Sequence, residues 1–101
     1  MNNNPDHFNV LRKIKTRPNS TQRELASSLG FSLGKLNYCL NSLKEKGLIK
    51  IKNFKNNPNK IGYVYKLTPK GIAEKTKLTF DFMKRKMKEY DELKKEIEQE
   101  K

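Results

Sequence analysis

The stretch Ser20–Leu48, STQRELASSLGFSLGKLNYCLNSLKEKGL, decides the fold because it encodes two helices joined by a short turn. The segment Thr21–Glu24 has the form of a capping box, which predicts the start of a helix. Gly30 is suited to end the first helix of the pair in a left-handed backbone conformation. Ser32 is suited to cap the second helix of the pair, and Gly47 is suited to end it. Apolar residues at helical spacing predict that the pair pack together through Leu25, Ala26, Leu29, Leu36, Leu40 and Leu43.

The flanking residues add one helix before this pair and a β-hairpin after it. Apolar spacing predicts a first helix over Asp6–Thr16, which Pro18 terminates. After Gly47 apolar and basic residues alternate, so Leu48–Phe54 and Ile61–Leu67 are predicted to form a hairpin with a Lys/Asn tip. Alternation along the second strand predicts that one face carries Tyr63, Tyr65 and Leu67.

A long helix closes the chain, with Thr68 as its cap and Pro69 at its first position. The predicted fold class is therefore mainly α with a small β-hairpin (α+β). We expect a winged helix-turn-helix domain over residues 6–71 and a long carboxy-terminal helix over residues 72–101.

The terminal helix has two interpretations, which depend on its apolar stripe. Thirty residues of helix reach about 45 Å, which is more than a small core covers, so we favour a coiled-coil-like seam with a second copy. The alternative is that the helix folds back over its own domain. The seam is also imperfect, because Lys86 and Glu100 occupy positions that a strict heptad would make apolar. The predicted dimer interface comprises Thr76, Phe80, Met83, Met87, Tyr90, Leu93 and Ile97.

The charge is concentrated in the amino-terminal part of the chain. Of 101 residues, 23 are Lys or Arg and 11 are Asp or Glu, a net charge of +12. Between Met1 and Gly71, 14 basic side chains stand against three acidic ones, whereas Ile72–Lys101 carries nine and eight. A compact polycation attracts a polyanion, so double-stranded DNA is the leading partner and an anionic membrane surface the second.

The outer face of the third helix is the predicted reading surface, because its inner face is needed for packing. Small and amide side chains there fit close approach to base edges, and a lysine at the helix start fits a phosphate. The alternative is an ordinary solvated surface. The predicted DNA-contacting residues are Ser32, Gly34, Lys35, Asn37, Tyr38 and Asn41.

Two other elements are predicted to contact DNA beside the third helix. The amino-terminal end of the second helix offers Ser20, Thr21 and Gln22. The hairpin lysines are predicted to lie on flanking phosphates or in the minor groove, although lysines at a strand edge also prevent aggregation. These wing residues are Lys50, Lys52, Lys55 and Lys60.

Other functional classes find little support in the residues. Cys39 is the single cysteine and His7 the single histidine, so neither a disulfide nor a His/Cys metal site is expected, and Cys39 is predicted to be a packing residue. We find no pattern of catalytic residues, no cofactor motif and no signal peptide. No apolar run approaches the roughly 18 residues of a membrane span, and we expect a cytoplasmic, non-enzymatic protein.

The combination of this helix pair, the hairpin and the run YKLTPKG over residues 65–71 resembles MarR-type winged-helix regulators, especially short members associated with exopolysaccharide gene clusters. The resemblance covers Val10–Ile72 and implies a homodimeric transcription factor, usually a repressor. Three features depart from the family: the first helix is short, the hairpin tip lacks an Asp and an Arg, and no small-molecule pocket is recognisable. No effector is therefore predicted.

The leading hypothesis is a sequence-specific, homodimeric DNA-binding regulator. The main alternative is a winged-helix protein-interaction scaffold that docks a partner through its terminal helix without specific DNA binding. An enzyme is a distant third hypothesis, because no reactive group in a pocket is recognisable. A non-specific architectural DNA-binding protein is a further alternative, which a specificity ratio near one would mark.

Overall fold

A computed structural model describes residues 5–52 and 63–100 of the chain. The described elements are, in order, α1 (Pro5–Thr16), α2 (Gln22–Leu29), α3 (Leu33–Glu45), β1 (Ile49–Lys52), β2 (Val64–Leu67) and α4 (Pro69–Gln99). This order confirms the predicted fold class, a winged helix-turn-helix with a long carboxy-terminal helix. The predicted hairpin tip, including Lys55 and Lys60, lies outside the described residues.

Local signals set the ends of α2 and α3 as the sequence predicts. The Thr21 side chain accepts a hydrogen bond from the Glu24 backbone N–H, and the Glu24 carboxylate accepts one from the Thr21 N–H, which completes the capping box. Gly30 ends α2 at a φ of 70°, which a glycine adopts without a Cβ clash. Ser32 caps α3 through the Lys35 N–H.

One apolar core joins all four helices to the sheet. All but one of the apolar positions predicted for the helix pair are buried; Leu29, the exception, is partly buried against the core. Cys39 is also buried, which confirms its packing role. The core consists of Phe8, Val10, Leu11, Ile14, Leu25, Ala26, Leu36, Cys39, Leu40, Leu43, Leu48, Ile49, Leu67 and Leu78.

The two strands form an antiparallel pair in which Ile49 lies opposite Leu67 and Lys52 opposite Val64. Burial in the second strand does not follow a simple alternation: Tyr63 is 53% exposed, whereas Val64 is only 1% exposed. The reason is tertiary, because Val64 also forms a bridge with Thr21, which precedes α2. Pairing on both edges encloses Val64, and strand alternation alone does not predict this.

The first turn of α4 is held tightly against the end of the hairpin. The Thr68 hydroxyl accepts a hydrogen bond from the Gly71 N–H and donates one to the Gly47 carbonyl at 2.6 Å, and the Thr68 N–H donates to the Leu48 carbonyl at 3.0 Å. A Cβ at Gly71 would lie 1.9 Å from the Leu48 oxygen. The run Leu-Thr-Pro-Lys-Gly therefore encodes a helix start that lies very close to the Leu48 backbone. Only a glycine at position 71 allows this close approach.

The first half of α4 packs on α1, and its second half projects away from the domain. Phe82 stacks on Phe8 with ring centroids 4.5 Å apart, and the guanidiniums of Arg85 and Arg12 lie over these two rings. From residue 83 to residue 100 every position is exposed. The described residues consequently extend over 64 × 25 × 20 Å. The expected division between residues 71 and 72 falls inside α4 and stays a prediction.

Candidate nucleic-acid interface

The outer face of α3 forms a continuous exposed surface opposite its buried leucines. All six residues predicted to contact DNA from this helix and its cap are exposed. Tyr38 is the most prominent, with 71% of its surface exposed. Leu33, which sequence reasoning did not select, is 45% exposed at the start of the helix and adds an apolar contact of the kind that thymine methyl groups accept.

Two of these residues lie at the start of α3. The Ser32 hydroxyl caps α3, so its oxygen already accepts the Lys35 N–H. No atom lies within 4 Å of a Cβ built on Gly34, so the surface there is open. An open glycine in the first turn of a helix lets another molecule approach the backbone closely.

The Lys35 ammonium is directed back towards the domain. It forms an ion pair with the Asp6 carboxylate of α1 at 3.3 Å and lies 4.2 Å from the centroid of the Phe31 ring. Both contacts are exposed, and such surface contacts are weak enough for a phosphate to replace them. These two contacts therefore position the Lys35 side chain in the free protein.

Gln22 and Asn37 are brought together across the helix pair. The Gln22 side-chain amide donates a hydrogen bond to the Asn37 carbonyl oxygen. Sequence reasoning selected both residues separately, and the structure places them in one amide pair at the junction of α2 and α3. This bond restricts the rotamers of the Asn37 side chain.

The other predicted contacts at the start of α2 are partly committed to the fold. Ser20, Thr21 and Gln22 are half-buried, and the Thr21 hydroxyl and N–H both belong to the capping box. The Thr21 N–H lowers the pKa of Glu24 by hydrogen bonding to its carboxylate. The Thr21 hydroxyl and N–H thus stabilise the start of α2.

The described part of the wing is strongly basic. Lys50 and Lys52 are exposed on β1, and Lys50 lies directly opposite Lys66 on β2. Like charges in cross-strand positions repel, and binding of a polyanion relieves that repulsion. Sequence reasoning counted Lys66 in the net charge without placing it beside Lys50, because that requires the strand register.

A second basic surface lies where α1 and α2 meet. A shallow groove there is lined by Lys13, Arg17 and Arg23, with Glu24 at its side. Lys13 and Arg17 are only four residues apart, but Arg23 follows the turn after α1, so only the packing of α2 on α1 brings Arg23 beside the other two. They extend the positive surface beyond the residues that sequence reasoning selected.

Cys39 faces the core side of α3 and takes no part in this surface. Burial raises the pKa of the Cys39 thiol, and the nearby Asp6 carboxylate acts in the same direction. A thiol in this environment is a poor nucleophile near neutral pH. Within residues 5–52 and 63–100, no group of three or more His, Cys, Asp or Glu side chains could hold a metal ion.

The distal part of α4 carries an exposed apolar stripe. Every residue predicted for the dimer seam is exposed, and Met87 retains 62% of its surface. The Thr76 hydroxyl is turned to the Ile72 carbonyl of its own helix. In the part of the chain that the structure describes, no helix is long and apolar enough to cross a membrane.

Comparisons with known proteins show which proteins this geometry is similar to. A family model described as winged helix-turn-helix DNA-binding matches residues 7–50. The apo form of MarR from Escherichia coli is 32% identical with a TM-score of 0.65, and the alignment covers 72% of this chain and 53% of that one. A search of curated protein sequences finds no match.

Two further similar structures contain DNA. A cysteine-to-serine mutant of E. coli MarR complexed with operator DNA is 30% identical, with a TM-score of 0.65, over 72% of this chain and 51% of that one. The transcriptional repressor CouR bound to a 23-mer DNA duplex is 25% identical, with a TM-score of 0.68, over 74% and 51%. The chain thus spans about half the length of the solved relatives it matches.

Fold and surface together define a winged helix-turn-helix protein of the DNA-binding class. Within that class, the chain is similar to MarR-type winged helix-turn-helix regulators, which supports the resemblance drawn from the sequence. The association with exopolysaccharide gene clusters stays a prediction.

Proposed function

We propose that this protein is a homodimeric, sequence-specific transcriptional repressor that reads DNA with the outer face of α3 in the major groove. The observation that carries the proposal is the exposed polar face of α3, which is backed by buried leucines and flanked by basic side chains. A helix supported in this way enters the groove without any rearrangement of the core. Structures of two similar proteins bound to DNA support DNA binding by this fold.

Different parts of the surface carry different tasks in this proposal. Asn37, Tyr38 and Asn41 contact base edges, and Gly34 allows the start of α3 to approach the duplex. The phosphate contacts come from Lys35 and the wing lysines, which supply affinity without sequence information. Lys35 exchanges its Asp6 and Phe31 contacts for a phosphate when the duplex binds.

Dimerisation through α4 doubles the reading surface. Six large apolar side chains remain exposed along this helix from Phe80 to Ile97, and soluble monomers rarely leave such a continuous stripe uncovered. Pairing of two stripes buries them as a coiled-coil seam. Two copies of α3 spaced about 34 Å apart would match half-sites one turn of the duplex apart.

Selection of bound duplexes from a random pool tests the DNA-reading proposal directly. We expect a motif with inverted half-sites, and Asn37→Ala should weaken its discrimination against mismatched bases by about 1–3 kcal/mol. Lys52→Ala should weaken binding to all duplexes alike and lower the salt-dependence slope by about one. Lys88→Ala, which removes the same charge from the distal half of α4, is the matched control and should leave the motif unchanged.

The result of this selection also separates the competing functions. Tight binding without a motif would mean a non-specific architectural protein. No duplex binding near physiological salt would favour the interaction scaffold, in which α4 docks a different protein, and would contradict the proposal.

Solution mass by light scattering tests the dimer independently of DNA. We expect a dimer at micromolar concentration and a monomer for Met87→Glu, because a carboxylate in the seam is desolvated without a partner. Lys88→Gln, next to it on the same helix, should remain a dimer. A monomeric wild-type protein at high micromolar concentration would contradict dimerisation through α4.

A further inference from the structure

A small cavity on a different part of the domain combines cations with a buried, unpaired imidazole nitrogen. It measures about 230 Å³ and lies between α1, the end of α3 and the first turns of α4. Core leucines form its apolar wall, and its polar lining consists of His7, Lys46, Lys70 and Glu74. A water molecule occupies about 30 Å³ in the liquid, so the space admits a small solute together with water.

His7 is the group in this cavity that most needs a partner. Its Nε2 atom is buried and has no hydrogen-bond partner among the described residues. Buried polar atoms in proteins are almost always paired, so an orphan nitrogen at a cavity indicates that a ligand or solvent completes it. Burial lowers the pKa of His7 from 6.5, the positive charge of Lys46 lowers it further, and Asp6 opposes both.

The two lysines make the cavity an environment for an anion. The Lys70 ammonium donates a hydrogen bond to the Lys46 carbonyl at 3.0 Å, which holds it beside the end of α3. The Lys46 side chain lies close enough to His7 to influence its charge. Glu74 is the opposing charge in the lining, so two lysines and one glutamate line the space.

From this arrangement we propose that the cavity binds a small oxyanion, such as a phosphate group or a carboxylate, between Lys46, Lys70 and His7. An oxyanion accepts hydrogen bonds from the ammonium groups and from Nε2–H of a protonated His7. A neutral apolar solute would leave these donors unpaired, and a metal cation would be repelled by the lysines.

The site is distinct from the DNA-reading surface. Lys46 caps the carboxyl end of α3, whereas Ser32 and Lys35 lie at its amino end, one helix of 13 residues away. At 1.5 Å per residue the two ends are about 20 Å apart. The proposal therefore does not rest on DNA binding and is tested on the free protein.

Protonation of His7 and anion binding are coupled in this site. An anion beside the ring favours the imidazolium, so the anion binds more tightly below the pKa of His7 than above it. The groups that surround the ring on its neighbouring elements are Asp6 on α1, Lys46 at the end of α3, and Lys70 and Glu74 on α4.

Proton NMR of the single histidine provides the test, because its ring resonances report one site without labelling. The full-length protein is titrated with pH in sodium chloride, sodium phosphate and sodium acetate at equal ionic strength. Phosphate or acetate should raise the His7 pKa above its value in chloride by about 0.5 or more, which corresponds to roughly threefold tighter binding to the protonated ring. A rise in phosphate alone assigns the site to phosphate groups, and a rise in acetate assigns it to carboxylates.

Charge variants of the lining separate a built site from general attraction to a basic protein. Lys70→Gln should abolish the rise, and Glu74→Gln should enlarge it by removing the competing carboxylate. Lys77→Gln, a lysine on α4 outside the lining, should behave as wild type. Equal pKa values in all three salts, or an equal rise in Lys70→Gln and Lys77→Gln, would overturn the proposal.

Discussion

The junction between Gly71 and Leu48 supplies the sharpest test of how the domain holds α4. In Gly71→Ala the new Cβ would lie 1.9 Å from the Leu48 carbonyl oxygen and 2.9 Å from its carbon. Both contacts involve backbone, so no side-chain rotation relieves them. The helix start must move away from the strand until the Cβ–oxygen distance exceeds 3.0 Å.

Three contributions set the size of the effect. Forcing extra volume into a packed junction costs about 1–3 kcal/mol. Moving the helix also weakens the 3.0 Å hydrogen bond from the Thr68 N–H to the Leu48 oxygen, a loss of about 1 kcal/mol. The higher helix propensity of alanine offsets these losses by about 1 kcal/mol of folding free energy. We therefore expect the free energy of unfolding to fall by about 2 kcal/mol and Tm by roughly 8–16 °C.

Gly34→Ala is the matched control, because no atom lies within 4 Å of its added Cβ and the residue is also in the first turn of a helix. It should gain about 0.5 kcal/mol and raise Tm by roughly 2–4 °C. Urea and thermal unfolding followed by far-ultraviolet circular dichroism, at one fixed protein concentration, measure both variants. A Gly71→Ala protein as stable as wild type would refute the close approach of α4 to Leu48.

Three further predictions concern single side chains. Gly34→Ala should weaken DNA binding while the fold becomes more stable, because the added methyl group lies on the reading face; a gel-shift titration with unchanged affinity would show that the duplex does not approach there. Burial raises the pKa of the Cys39 thiol, so Ellman's reagent should react with the native protein at least about tenfold more slowly than with the urea-unfolded chain; equal rates would contradict its burial. Glu24 has a lowered pKa through its bond to the Thr21 N–H, so its stabilising contribution is present above the unfolded pKa near 4.5 and is lost as pH falls through the folded value. Glu24→Gln should therefore flatten the acid side of the stability profile, and urea midpoints at about pH 6 and about pH 3 measure the difference.

Much of the DNA-reading face could be predicted from the sequence because it is defined by what the core does not use. Leu36, Leu40 and Leu43 fix which side of α3 is buried, so the opposite side follows from the helical period alone. The contacts made by that side do not follow from the period. The pairing of Lys35 with Asp6 depends on how α1 crosses α3, and helix spacing contains no information about that crossing.

The basic surface shows the same division. The net charge of the amino-terminal part could be counted, and it predicted a polyanionic partner. The opposition of Lys50 and Lys66 requires the strand register, and the grouping of Lys13, Arg17 and Arg23 requires the packing of α1 on α2. The net charge predicts that the protein attracts an anionic partner, whereas the positions of the basic side chains in the fold decide where that partner is bound.

The sequence by itself determined the helix limits and the helix pair, because capping at Thr21, Ser32 and Thr68 and the left-handed stop at Gly30 act within a few residues of chain. Only the tertiary structure enclosed Val64, because Thr21, far away in the chain, pairs with the outer edge of β2. The same holds for the contact of Gly71 with Leu48 and for the cavity around His7. Each of these features depends on distances between elements, and a local pattern fixes the elements but not the distances between them.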